Sequence, residues 1–294
     1  MPGIYVERWS SAAIWCQRLA FFLIPFFLVV ILLFRFDKIE ITQLFALMGV
    51  GLVVALVGAI FGVRAVVDLW NRGDRGGSKV VRGLVAIIAI LAPFGYYTFL
   101  ALSFPLANDV STDAFNPPRY ISAVSTRDEL VAQGGNRVGE YTVSHARKII
   151  TAYPKLQPRR YPAGAERVLA AVQTIIIDNE WPVTGSEGIP ENQTTGDEEL
   201  ADNGATEQVT EDAGNAQESI EMPDDIYVEF LERTPVLGFE NDVIVRIISE
   251  DENTLVDVRA SSRWGRHDFG YNAKLIERFL KQLDTALLGI AGEG

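Results

Sequence analysis

One cysteine and two histidines are all that this 294-residue chain offers to thiolate and imidazole chemistry. Cys16 lies beside a long apolar run, so no disulfide forms within the C-terminal part and no thiolate zinc or redox site is expected there. With His145 and His267 alone, a multi-histidine metal centre is not expected, and nothing calls for a cofactor. The phosphate-cradling G-x-x-x-x-G-K-[ST], the dinucleotide G-x-G-x-x-G and the nucleophile-elbow G-x-S-x-G are also missing.

Positive charge is scarce as well. The net charge is −12, and residues 105–294 carry 17 basic and 33 acidic side chains. Thirteen of those acids lie in 187–225, a stretch without Lys or Arg. Such a segment buries too little to offset its ordering entropy, which predicts a disordered acidic insertion between strands. Without it the remainder is near neutral and lacks the basic field a nucleic-acid partner needs.

Charge is absent altogether from three long runs before residue 105. Residues 19–34, 41–63 and 83–104 carry none. The second and third exceed the roughly 20 residues that cross a hydrocarbon core, and Arg35 extends the first by snorkelling. The expectation is three transmembrane helices in residues 1–105. Arg8, Arg18, Arg64, Arg72, Arg75, Lys79 and Arg82 lie in the tail and second loop, against Arg35 and Lys38 in the first. Lys and Arg stay with the cytoplasm, so this bias predicts a multi-pass protein of the cytoplasmic membrane with a cytoplasmic N-terminus. Residues 106–294 would then form a periplasmic or otherwise extracytoplasmic domain of a bacterial envelope. The lipid bilayer is one partner. Gly58-x-x-x-Gly62 either packs the spans on each other or offers a protein partner a close-approach face through the membrane helices.

Residues 106–294 are patterned for an α+β domain. Val168, Leu169, Val172 and Ile176 make one helical stripe; Leu275, Ile276, Phe279, Leu280 and Leu283 make another. Strand alternation runs through 226–234, 242–247 and 256–263, with a polar turn at 250–253. An antiparallel sheet of at least three strands is therefore expected, with helices packed on its apolar face and a solvated ladder of charge on the other. Residues 108–118, held extended by prolines, read as a brace over the domain.

That ladder holds the candidate site. Arg246, Arg259, Arg263 and Arg266 stand between Asp242 and Tyr271 without one Lys, which suits planar, bidentate pairing. Asn272 is the expected N-cap of the last helix, and Arg263, Arg266 and His267 precede it. Free N–H groups and the helix dipole favour an anion at such a place. The candidate ligand is an anionic small molecule or lipid headgroup at Arg246, Arg259, Arg263, Arg266, His267 and Asn272. Cross-strand ion pairs explain the same arginines without a ligand. A hydrolase is also writable, from Ser261 or Ser262, His267, and Asp242, Asp257 or Asp268, although geometry and not presence defines a triad.

Three blocks carry a family resemblance: GFENDVIVRI over 238–247, VDVRASSRWGRHDFGYNAKLI over 256–276, and NDVSTDAFNPP over 108–118, with Tyr153-Pro154 and Trp181 in the same pattern. In these the chain resembles the domain of unknown function 1499 family. The resemblance implies a domain boundary near residue 108. It implies no activity, so enzyme, ligand-binding protein and structural scaffold all stay open.

Overall fold

The computed structural model describes residues 8–139, 141–189 and 225–289. The chain divides into two compact units: residues up to Leu106 with the short segment Arg233–Phe239, and Ala107–Glu232 with the chain from Glu240 onward. Most of the expected acidic insertion, 190–224, lies outside the described residues. Its expected ends, Glu187 and Asp225, are the last and first residues of flanking strands.

The first unit holds three helices, α1 (Ser11–Arg35), α2 (Ile41–Arg72) and α3 (Gly77–Ser103), each long and apolar enough to cross a membrane. Their ends are marked in the sequence. Ser10 accepts the Ala13 N–H at the start of α1, and Glu40 with Gln43 forms a capping box at the start of α2. Gly73, in the left-handed region at φ 66°, closes α2. Three glycines of α2, Gly51, Gly58 and Gly62, face inward. A Cβ on Gly58 would sit 3.0 Å from Ile87 of α3 and 3.5 Å from Leu19 of α1. Gly58 and Gly62 thus serve close packing within the bundle.

The second unit is an α+β domain around an antiparallel sheet. The strands are β1 (Asp109–Ser111), β2 (Arg159–Tyr161), β3 (Val183–Glu187), β4 (Asp225–Arg233), β5 (Glu240–Ser249) and β6 (Thr254–Ser262). Their order is β1-β6-β5-β4-β3, and β2 shares the outer edge of β6 with β1. The helices are α4 (Ala123–Ala132), α5 (Val143–Ala152), α6 (Ala165–Asp178) and α7 (Tyr271–Gly289). The β5–β6 hairpin pairs Val245 with Val258 and Arg246 with Asp257, and it turns where Glu250 N–H meets the Asn253 carbonyl.

One face of the sheet is the apolar core. Val243, Val245, Ile247, Val256, Val258 and Ala260 meet both predicted helical stripes there, and every residue of those stripes is buried. Trp181 stacks on Phe230, with ring centres 5.0 Å apart and planes 6° from parallel. Fully burying each such side chain contributes about 1.5–3 kcal/mol, so this face supplies most of the folding drive.

The outer edge of β6 is finished by a side chain. Between β1 and β2, Thr112 donates its N–H to the Val258 carbonyl (3.0 Å), and its Oγ1 accepts the Val258 N–H (2.9 Å). A hydroxyl stands in for a missing strand residue. Thr112→Val keeps the shape and strands a buried N–H, which costs about 1–3 kcal/mol. Thr112→Ser should cost clearly less. Denaturant unfolding of the two variants checks this, and equal losses would contradict the role of the hydroxyl.

Candidate functional site

Strand alternation places Glu229 of β4, Asp242, Ile244 and Arg246 of β5, and Asp257, Arg259 and Ser261 of β6 on the face opposite the core. The expectation of a solvated ladder is wrong there. None of these side chains is more than 6% exposed. The physical reason is the segment between β1 and α5, which lies across this face as a polar lid. It brings its own counter-charges, so the arginines and carboxylates pair under cover.

Several of the bonds tie the segment to the sheet. Asp242, fully buried, accepts from Arg127 Nε of α4 (2.7 Å) and from Arg263 Nη2 (2.8 Å). Arg127 is itself 1% exposed and also donates to the Ser261 carbonyl (2.7 Å) and Ser261 Oγ (3.2 Å). Arg259 grips Asp109 of β1 with two bonds (2.9 and 2.7 Å), donates to the Pro118 carbonyl, and lies over the rings of Tyr120 and Tyr141. Arg246 binds Asp257 across the hairpin and the Asn116 carbonyl of the lid. Glu229 works at the other sign. Its carboxylate accepts the N–H groups of Ile121 (2.6 Å), Ser122 (2.9 Å) and Ala123 (2.8 Å), the free donors at the start of α4.

The electrostatics follow the burial. Desolvation works against the Arg259 charge, but the two-pronged Asp109 carboxylate outweighs it and holds the guanidinium above its usual range. Burial pushes the Asp257 carboxyl upward, further than Arg246 pulls it down, and its Oδ1 has no hydrogen-bond partner among the described residues. Burial, with the nearby Asp109 charge, raises the Tyr141 phenol, and burial raises that of Tyr120. These are the signatures of a closed polar interior.

The structure places the six candidate ligand residues in different situations. Arg246, Arg259 and Arg263 are held by carboxylates of the chain itself, Arg263 by Asp242 and by Glu240 (2.6 Å). Arg266 is exposed. His267 is half-buried, stacks on Phe269, and its Nδ1 accepts the Phe269 N–H (2.9 Å). Asn272 is not the N-cap of α7 but lies inside its first turn. Its Nδ2 donates to the Asn108 carbonyl and to Ser262 Oγ (3.0 Å), which ties the helix to the start of β1 and the end of β6. The carboxylate that meets the helix N-terminus is Asp268, which accepts from the N–H of Gly270 (2.9 Å) and of Asn272 (3.1 Å). Burial pushes Asp268 up against the pull of those two donors.

The writable triad is dispersed among these roles. Ser261 Oγ accepts from Arg127, and Ser262 Oγ donates to Asn241 Oδ1 (2.7 Å). Asp242 and Asp257 are committed to arginines, and Asp268 to α7. Sequence reading misses Arg127 and Glu229 as organising groups. Arg127 sits in a helix with almost no apolar periodicity, so nothing in its neighbourhood marks it as buried. Glu229 is legible only as an outward strand residue, because its partners are backbone donors 106–108 positions away.

A family model described as "Protein of unknown function (DUF1499)" matches residues 109–283. No curated protein and no solved structure matches the chain.

Removing Arg127 tests the lattice. Arg127→Ala leaves Asp242 with one cation and removes a donor from the Ser261 carbonyl, so breaking this buried pair should cost about 3–5 kcal/mol. Arg127→Lys keeps the charge without the planar fork and should fall between the variant and wild type. Unfolding followed by tryptophan fluorescence measures both. A loss below about 1 kcal/mol, the range of surface pairs, would contradict a buried load on Arg127.

Proposed function

We propose that this chain, which belongs to the DUF1499 family of proteins of unknown function, is a membrane-anchored envelope protein with a non-enzymatic extracytoplasmic domain. The domain acts as a rigid scaffold that presents its surface to a protein partner. The bilayer anchors it through α1, α2 and α3, whose length and apolar composition suggest membrane insertion. The excess of Lys and Arg in the tail and the α2–α3 loop supports a cytoplasmic N-terminus.

The observation that carries the scaffold reading is the double commitment of Asp242, buried between Arg127 and Arg263. A catalytic or ligand-gripping group needs a free valence toward its substrate. Here the charged groups, Asp257 Oδ1 excepted, spend theirs within the chain, and Ser261 and Ser262 are hydrogen-bonded to Arg127 and Asn241. An anionic ligand at the start of α7 would also have to displace Asp268 from two backbone donors. Arg266 is an exposed cation that precedes that helix, and it keeps the anion reading testable.

Thermal melting of the full chain in detergent distinguishes the readings. Phosphate, sulfate and a soluble anionic headgroup should raise the melting temperature no more than chloride at equal ionic strength. Arg266→Ala should melt as wild type does. Protection by one of these anions that vanishes in Arg266→Ala would replace the scaffold with an anion-binding domain. For the membrane side, a reporter active only outside the cytoplasm should be active when fused after Gly294. Activity of a cytoplasmic reporter alone at that point would overturn the orientation.

A further inference from the structure

The turn between β4 and β5 has the wrong chemistry for a water-facing turn. Residues 234–239 read Thr-Pro-Val-Leu-Gly-Phe, without a charge, whereas the β5–β6 turn at 250–253 reads Glu-Asp-Glu-Asn. The apolar turn is also fixed in shape. Thr234 N–H donates to the Phe239 carbonyl (2.9 Å), Gly238 N–H reaches the Thr234 carbonyl (2.9 Å), and Phe239 N–H reaches Thr234 Oγ1 (2.8 Å). Gly238 takes φ 75°, which an L side chain rarely adopts. So clamped, the tip holds Pro235 and Val236 outward, and Val236 is 64% exposed.

This turn belongs to the helical unit. The Phe239 ring lies 5.3 Å from that of Phe34, at the C-terminal end of α1, and a Cβ on Gly238 would meet Arg35 Nη1 at 2.7 Å. Cys16 of α1 packs on Gly83 near the start of α3, and Phe27 of α1 packs on Phe94 further along it. The two helices therefore run parallel and end together. Exposed Phe36, Leu102 and Leu106 lie just past or near those ends. One end of the unit thus gathers apolar side chains from three separate chain segments, with Arg35 among them.

We propose that the 234–239 turn is a membrane-interface anchor. It lays Pro235, Val236 and Leu237 into the headgroup–acyl boundary of the leaflet from which α1 and α3 emerge, and its occupant is a lipid bilayer surface. This inference rests on the membrane reading of the three helices.

The test uses the full chain in phosphatidylcholine–phosphatidylglycerol vesicles. Single cysteines carrying an environment-sensitive fluorophore are placed by Val236→Cys at the turn, Leu28→Cys on α1 and Ile177→Cys on α6. Native Cys16 is buried in the bundle, and unsubstituted protein reports any labelling there. Lipid-borne nitroxide should quench the probes at 28 and 236. Aqueous iodide should quench the probe at 177 at least about threefold more than that at 236, as expected for a group below the headgroups. If 28 is quenched by lipid while 236 responds as 177 does, the anchor is overturned and the membrane reading stands. If 28 is not quenched by lipid, both are overturned.

Discussion

A carboxylate with no access to water must find its counter-charge inside the protein, and the domain is arranged around one such group. Asp242 sits fully buried on the sheet face opposite the apolar core. Its two cations come from different places: Arg127 from the helix of the lid, Arg263 from the chain just past β6. Because a buried charge short of its partners is expensive, the lid cannot leave without stripping Asp242 of one of its two cations. Arg259 with Asp109 and Glu229 with the start of α4 repeat the same condition along the face. The lid is thereby an integral layer of the fold.

This changes what the charged residues mean. Four arginines without a lysine look like a grip on a phosphate or carboxylate, and the planar fork is indeed in use. Three of the four grip carboxylates of the chain itself. The same holds at the last helix, where Asp268 occupies the place an external anion would take. Buried polar groups that are paired specify one arrangement, and here Asp257 Oδ1 is an exception among the described residues.

The core half of this is written plainly in the sequence. Period-2 alternation in β5 and β6 and the 3.6-residue stripes of α6 and α7 each describe one element against one apolar layer, which local pattern records well. The outward face misleads for the same reason. Alternation says that Arg246, Asp257 and Arg259 share a face, and it is silent on what covers that face. The cover comes from residues more than a hundred positions away, and its key side chain, Arg127, is a charged residue in a helix lacking an apolar stripe. The three-residue strands β1 and β2 are too short to carry a period at all. Asn272 looks like a cap because it follows Gly270 and precedes the stripe, whereas Asp268 reaches two donors at once. The helices in the first unit are legible from length and missing charge alone.

If the lid is an integral layer, it must open only when the sheet does. Native-state hydrogen exchange of the full chain reads this directly, because amides that open together share one opening free energy. The account predicts that the amides of α4, Arg127 included, exchange with the same opening free energy as those of β5 and β6. Exchange of α4 through a much cheaper local opening, with β5 and β6 still protected, would contradict it.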